Sequence, residues 1–487
     1  MEKQLHPKEE AVRCLLCADA PCTRACSAGD PARALRAIRF DNTVLAARWL
    51  GPCSEQDLEA AEQACIHYDR PIRIREIARL LPDAPEPEKK SPSLAIDFCG
   101  IRCENPFFLA SSAVCTNYEM VSSAFEAGWA GVFYKTICLQ EIKEVSPRFD
   151  AVHDEHHGFA GFRNMEQLSE NPPEMDFDIL HRLKQNYPTK VVVASIMGNS
   201  EEEWIQLAKQ AEAAGVDALE LNFSCPQMRL AGMGSDVGQN DELVTFYTAY
   251  VKSAVSIPVI PKMTPNISSM NRVSMAAHFA GADGISAINT IKSITLGKES
   301  AVSGKWVISG YSGRAVKPIA LRFILEMSMN PIMKNLQISG IGGIETWHDA
   351  LEFLKLGCRN VQVCTAVMQY GYRIIDDLTA GLQHYMSAHG IDRVEDLVGV
   401  EIDHIARPSE VDRDTMVFPT IDRSLCIGCG RCYVSCRDGG HQAIDFGADR
   451  QPHILGAKCV GCHLCRLICP TGAIGMARRI PKPQRKS

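Results

Sequence analysis

The chain has 487 residues, of which 46% are apolar and 22% charged, and a formal net charge of −7. That length allows two to four domains around at least one large core, and the composition excludes a disordered chain. The acidic balance gives no electrostatic support for a nucleic-acid or anionic-membrane partner.

The N-terminus, Met1-Glu-Lys-Gln-Leu-His-Pro-Lys-Glu-Glu10, has no apolar stretch of signal-peptide type, and no apolar run is long enough to span a bilayer. A cytoplasmic protein is expected. The 21 cysteines then need a reason, because a reducing cytosol disfavours structural disulfides. Six lie in residues 1–65, eight between 426 and 469, and seven are scattered between. Thiols clustered in this way point to metal.

In chain order, the first predicted unit is a Cys-rich helical domain over 1–81. It carries Cys14-x2-Cys17-x4-Cys22-x3-Cys26, then Cys53 and Cys65. The residues alone admit one or two iron–sulfur clusters or a zinc-stapled mini-domain. Residues 82–93 follow as a linker, since the prolines and charges of Pro82-Asp-Ala-Pro-Glu-Pro-Glu-Lys-Lys-Ser-Pro92 cannot pack a core.

Over 94–405 one theme repeats: a short apolar or β-branched run, then a helical stretch. The predicted strands are 107–112, 131–136, 191–196, 218–223, 259–264, 284–289, 337–341 and 361–365, with amphipathic segments such as Glu202–Ala214 between them. Eight such units predict an α/β protein with a (β/α)8 TIM barrel. A doubly wound sheet would show a Gly-rich fingerprint after its first strand, but that strand ends in Ala110-Ser-Ser112. Polar residues recur at the strand ends: Ser111, Lys135-Thr136, Asn222, Lys262-Met-Thr264, Asn289-Thr290, Gly342-Gly343 and Thr365. In a barrel those ends converge on the catalytic face. The connection 289–337, with Ser309-Gly-Tyr-Ser-Gly313, reads as a long functional loop. His153-x2-His156-His157 reads as a polar loop.

Residues 406–487 are predicted to form a ferredoxin-like domain. Cys426-x2-Cys429-x2-Cys432-x3-Cys436 is followed by Cys459-x2-Cys462-x2-Cys465-x3-Cys469-Pro470. In such duplicated runs the fourth cysteine of each serves the other centre. Cys426, Cys429, Cys432 and Cys469 are therefore assigned to one 4Fe–4S cluster, and Cys459, Cys462, Cys465 and Cys436 to the second. Zinc rarely shows this triple spacing twice.

A barrel followed by this tail, with Leu221-Asn-Phe-Ser-Cys-Pro226 after the fourth strand, resembles the dihydropyrimidine dehydrogenase family, in particular the catalytic subunits of its bacterial NAD-dependent enzymes. The resemblance covers roughly 94–475 and is close at Phe162-Arg-Asn-Met-Glu-Gln167, Met233-Gly-Ser-Asp-Val-Gly-Gln239, Lys262-Met-Thr-Pro-Asn266 and Ser309–Gly313. It implies an oxidoreductase that interconverts uracil or thymine with the 5,6-dihydropyrimidine, using FMN. Ser111, Lys135, Thr136, Lys262, Gly313, Ile341, Gly342, Gly343, Cys364 and Thr365 fall on the family's flavin-contact positions. Asn164, Asn222, Phe223, Ser224, Asn289 and Thr290 fall on its pyrimidine-contact positions.

Cys225 falls on the acid/base position. Reducing the C5=C6 bond takes a hydride on C6 and a proton on C5, and a thiol of pKa about 8.5 keeps its proton at neutral pH. Residues 227–239 read as a lid carrying it. Lys135 or Lys262 would balance the charge of reduced flavin. Dihydroorotate dehydrogenases share the barrel, but they commonly have asparagine where this chain has Gln227, and they lack the double-cluster tail. The N-terminal unit resembles the cluster domain of the long dihydropyrimidine dehydrogenases, which implies Cys14, Cys17, Cys22 and Cys65 as ligands of a third 4Fe–4S cluster. Cys26 and Cys53 would belong to another cluster whose remaining ligands are replaced near Glu59 and Ala78. The implied partner is an FAD- and NAD(P)-binding subunit or a ferredoxin, in a homodimer or heterotetramer. A second reading is an electron-transfer subunit with a non-catalytic barrel; the lysines, asparagines and cysteine at the strand ends speak against it.

Overall fold

The computed structural model describes residues 6–83, 91–154, 158–226, 228, 233–296 and 305–482. They fall into two compact units, 1–402 and 403–487.

Eight parallel strands close a barrel in the larger unit: β1 Phe107–Leu109, β2 Gly131–Phe133, β3 Val191–Ile196, β4 Ala218–Asn222, β5 Val259–Lys262, β6 Gly284–Ala287, β7 Gln337–Ile341 and β8 Cys358–Val363. The ring closes where Val361 of β8 faces Phe107 of β1. The strands read as near-continuous apolar runs because helices cover one face and the barrel interior the other; β1 through β6 are buried throughout. This is the predicted TIM barrel, with all eight predicted strands in place. Several strands stop earlier than their apolar runs suggest. β1 ends at Leu109 and β2 at Phe133, so Ser111 and Lys135-Thr136 sit just past the regular ladder, which Ile137 rejoins by bridging to Ile196.

The helices follow their caps. The helix Glu201–Ala213 starts where Ser200 accepts from the Glu203 N–H, and it buries Trp204, Leu207, Ala208 and Ala211 against the barrel. No helix among the described residues is long and apolar enough to cross a membrane.

Two stretches that the sequence analysis treats as loops form one antiparallel sheet. Phe149–Asp154 and Gly158–Asn164 make a hairpin, and Ile291–Ser293 and Ser309–Ser312 extend it, in the order 291–293, 309–312, 158–164, 149–154. His153 thus belongs to a strand rather than a polar loop; His156 and His157 lie outside the described residues. The buried Arg163 guanidinium fastens this sheet by donating to Asp150, Thr295 and the Val307 carbonyl.

Before the barrel come short helices, Pro7–Val12, Pro21–Arg24, Pro31–Arg39, Thr43–Leu50, Glu55–Gln63 and Ile74–Leu80. They share a small core of Leu35, Ile38, Leu50, Leu58, Ile74 and Ile77. They are also tied to the barrel side. Arg36 donates to Asp377 at 2.5 Å, and the Trp347 indole N–H donates to the Asp41 carbonyl.

The smaller unit pairs Thr415–Ile421 with Ile474–Pro481 and Ile444–Phe446 with Pro452–Ile454, both antiparallel. The helix Arg431–Gly439 carries Cys432 and Cys436, and the helix Leu464–Leu467 carries Cys465.

Candidate active site and cluster sites

The cavity at the mouth of the barrel spans about 1120 Å³ including the open space at its entrance. It is lined by Ser111, Lys135, Thr136, Asn164, Asn222, Cys225, Lys262, Asn289, Thr290, Gly313, Ile341, Gly342, Gly343, Cys364 and Thr365. Phe223 and Ser224 do not line it. Side chains alternate along a strand. Asn222 faces inward, so the Phe223 ring turns out against Trp204, with centroids 5.4 Å apart. Ser224 is fully buried behind the asparagines.

The lysines of the cavity wall are paired. Lys262 lies 3.3 Å from Glu220, which also accepts from Ser195 at 3.0 Å. Lys135 lies 3.0 Å from Glu166, and Arg148 reaches the other oxygen of that carboxylate at 3.4 Å. Sequence reasoning missed both carboxylates. Glu220 had a signal, since it stands two residues before Asn222 in a buried strand and so shares its inward face. Glu166 had none beyond its place in the Phe162–Gln167 stretch.

Each asparagine is oriented by a backbone N–H, which can only donate. The Asn222 Oδ1 accepts from the Ser224 N–H and hydroxyl, the Asn289 Oδ1 from the Thr290 N–H at 2.7 Å, and the Asn164 Oδ1 from the Glu166 N–H at 2.7 Å. A backbone N–H fixes which end of an amide is oxygen. The Asn222 Nδ2 then gives one hydrogen to Thr136 and the Asn289 Nδ2 one to the Ser224 Oγ. By count the Asn222 and Asn289 nitrogens each keep a second N–H, and the Asn289 Oδ1, with one donor, keeps a second acceptor site.

At the other end of the cavity three glycines bring backbone close together. A Cβ on Gly343 (φ +75°) would fall 2.8 Å from the Lys317 nitrogen and 2.9 Å from the Gly313 oxygen, and one on Gly313 (φ +111°) would fall 2.8 Å from the Gly161 Cα. The turn Arg314–Val316, running into the helix Lys317–Ser328, starts at Gly313, and the helix Thr365–Tyr370 starts at Cys364. Backbone N–H groups gathered there suit a phosphate. The cavity-lining Gln362 donates to Ser286 and Ser339 but leaves its buried Oε1 without a partner among the described residues. Glycine-framed N–H groups, two buried lysines and an unmet acceptor fit a flavin mononucleotide.

Cys225 is buried, and its carbonyl accepts from the Ser235 N–H. Gly234 lies so near that a Cβ would sit 2.5 Å from that carbonyl. Much of the expected lid, residue 227 and 229–232, lies outside the described residues.

Three further hollows are ringed by cysteines. In the smaller unit one is lined by Cys426, Cys429, Cys432 and Cys469, the other by Cys436, Cys459, Cys462 and Cys465. Each draws three thiols from one run and one from the other, and apolar residues such as Ile421, Ile474 and Ile444 complete the walls. That donor set fits 4Fe–4S clusters. The third hollow, among the N-terminal helices, is lined by Cys14, Cys17, Cys22 and Cys65 with Leu35, Ile72 and Ile74. Cys26 and Cys53 stand apart from it, as a pair.

Residues 93–386 match the family model described as dihydroorotate dehydrogenase, and 419–476 match a 4Fe-4S dicluster domain. The NAD-dependent dihydropyrimidine dehydrogenase subunit PreA of Escherichia coli K12 is 52% identical over 388 residues, 78% of this chain and 94% of the relative. The chloroplastic dihydropyrimidine dehydrogenase (NADP(+)) of Arabidopsis thaliana is 35% identical over 341 residues, 66% of this chain and 80% of the relative. The catalytic subunit of dihydroorotate dehydrogenase B (NAD(+)) of Pyrococcus furiosus is 35% identical over 312 residues, 63% and 98% of the two chains. On the barrel it shares with dihydroorotate dehydrogenases, and with its dicluster tail, the chain belongs to the dihydropyrimidine dehydrogenase family.

Proposed function

We propose that this chain is the catalytic subunit of a cytoplasmic dihydropyrimidine dehydrogenase, interconverting uracil or thymine with the 5,6-dihydropyrimidine. The observation that carries the reading is the set of asparagine amides whose oxygens are held by backbone N–H groups. The remaining N–H groups of Asn222 and Asn289 suit a ring bearing two carbonyl acceptors, which a pyrimidine-2,4-dione is. Asn164, Asn222, Asn289 and Thr290 hold the base, while Phe223 and Ser224 support them from behind.

Ser111, Lys135, Thr136, Lys262, Gly313, Ile341, Gly342, Gly343, Cys364 and Thr365 hold FMN, which when bound supplies or accepts the hydride. Cys225 supplies the proton at C5 in reduction and takes it in oxidation. The buried Lys135–Glu166 and Lys262–Glu220 pairs keep two cations in the cavity floor without a net charge to desolvate. Electrons travel through the two clusters of the smaller unit and a third at Cys14, Cys17, Cys22 and Cys65. They are exchanged with a separate flavoprotein subunit that binds NAD, in keeping with the wording "NAD-dependent" and "subunit" in the name of the Escherichia coli relative.

Anaerobic titration of the flavin-loaded chain with dihydrouracil tests this. Bleaching of the flavin absorbance is expected. A flavin that stays oxidised under dihydrouracil but bleaches under dihydroorotate would move the activity to the dihydroorotate branch of the family.

A further inference from the structure

Cys26 and Cys53 do not stand like the twelve cysteines that ring the three hollows. Their sulfurs touch at 3.1 Å, and both thiols donate to the Ala28 carbonyl, at 2.8 and 2.9 Å. The contact is enforced by its surroundings. One carboxylate, Asp57, accepts from the N–H and hydroxyl of Ser27, beside Cys26, and from the N–H and hydroxyl of Ser54, beside Cys53. Gly29 (φ +87°) makes the room, since a Cβ there would lie 2.6 Å from the Cys53 sulfur.

We propose that Cys26 and Cys53 are a reversible dithiol–disulfide couple, oxidised by a low-molecular-weight disulfide such as oxidised glutathione, and not cluster ligands. Two S–H bonds break and one S–S bond forms. The two electrons and two protons pass to the glutathione disulfide, which leaves as two thiols. The attacking species is a thiolate. Burial, with smaller contributions from the Cys26 hydrogen bond and the nearby Asp57 and Asp30 carboxylates, pushes the Cys53 thiol up to about 12, so the exchange is slow. In a reducing compartment such a pair remains open and closes under oxidative load. Closure would link the caps of two helices, since Asp30 caps Pro31–Arg39 and Ser54 caps Glu55–Gln63.

The test uses the full chain, purified anaerobically with its clusters. It is treated with oxidised glutathione, alkylated, digested without reduction and mapped by mass spectrometry. The expected result is a peptide linked through Cys26 and Cys53 that dithiothreitol reverses, with iron per chain unchanged. Recovery of both as alkylated thiols after the treatment would overturn the proposal. So would a Cys26→Ser/Cys53→Ser variant that loses iron relative to the parent, because the pair would then be holding a cluster.

Discussion

The Lys135 ammonium lies 3.0 Å from a Glu166 carboxylate oxygen, with both side chains about 5% exposed, in the wall of the barrel cavity. Breaking a buried pair from one side leaves the other charge without compensation, at about 3–5 kcal/mol. Glu166→Gln should lower stability by that order. The double variant with Lys135→Met should be less destabilised than the sum of the two single variants. Denaturant unfolding of all four proteins measures this, and strict additivity would show that the two groups are not coupled.

Cys225→Ala removes only a proton donor in the proposed chemistry. Turnover should fall by about 10²–10⁴-fold while flavin content stays at the parent level. Flavin absorbance per chain, read beside steady-state rates, separates this from a structural role. Turnover near the parent's would reject the assignment.

Asn289→Asp replaces an amide whose oxygen already accepts the Thr290 N–H with a carboxylate that has no donor to offer a substrate carbonyl. Loss of a hydrogen bond to a buried acceptor costs about 1–3 kcal/mol, so kcat/KM for uracil should drop by roughly 10–100-fold. An unchanged kcat/KM would remove Asn289 from the base-binding set.

Four thiols line the N-terminal hollow. The chain should hold three 4Fe–4S clusters, about twelve irons, and Cys22→Ser should lower that by about four. Anaerobic iron analysis of parent and variant decides it, and equal iron contents would leave the hollow without a cluster.

The Asp377 carboxyl, facing Arg36 and Asp376, is raised to about 6, chiefly by burial and against the pull of Arg36. An acid whose native pKa is raised takes up its proton in the folded state before the unfolded chain does. Falling pH, from about 6 toward the usual carboxylate value of about 3.9, therefore favours the folded form through this group. Arg36→Met should destabilise the protein most near neutral pH, by about 3–5 kcal/mol, and progressively less as the pH is lowered through 6. Thermal unfolding of parent and variant across that range is the measurement. A loss that grows on acidification would contradict the burial argument.

The eight barrel strands were legible because most are short, largely apolar runs buried on both faces, and the lysines and asparagines because they end such runs. The two cysteine rings of the smaller unit were legible in the spacing, even to which run lends its fourth thiol, whereas the set Cys14, Cys17, Cys22 and Cys65 came only from the family resemblance. The sheet of 149–164 and 291–312 was not. Its partners come from distant parts of the chain, and Phe149-Asp-Ala-Val-His-Asp154 has no strict alternation to announce a strand. The pairing of Lys262 with Glu220 was hidden for the same reason, since they are 42 positions apart, although the strand period already turned Glu220 inward. Phe223 and Ser224 were placed in the cavity through the resemblance of a whole stretch, where the two-residue strand period would have turned the Phe223 ring outward.

In the dicluster unit Cys469 completes the ring begun at Cys426, while Cys436 waits for the ring that begins at Cys459. Neither set of four thiols exists until the ribosome has passed Cys465, and the first set to begin is the last to be finished. A complete four-thiol ring for either cluster is therefore available only when synthesis of this unit is nearly finished, and a chain cut between the two runs would carry two unequal partial sites instead of one intact centre.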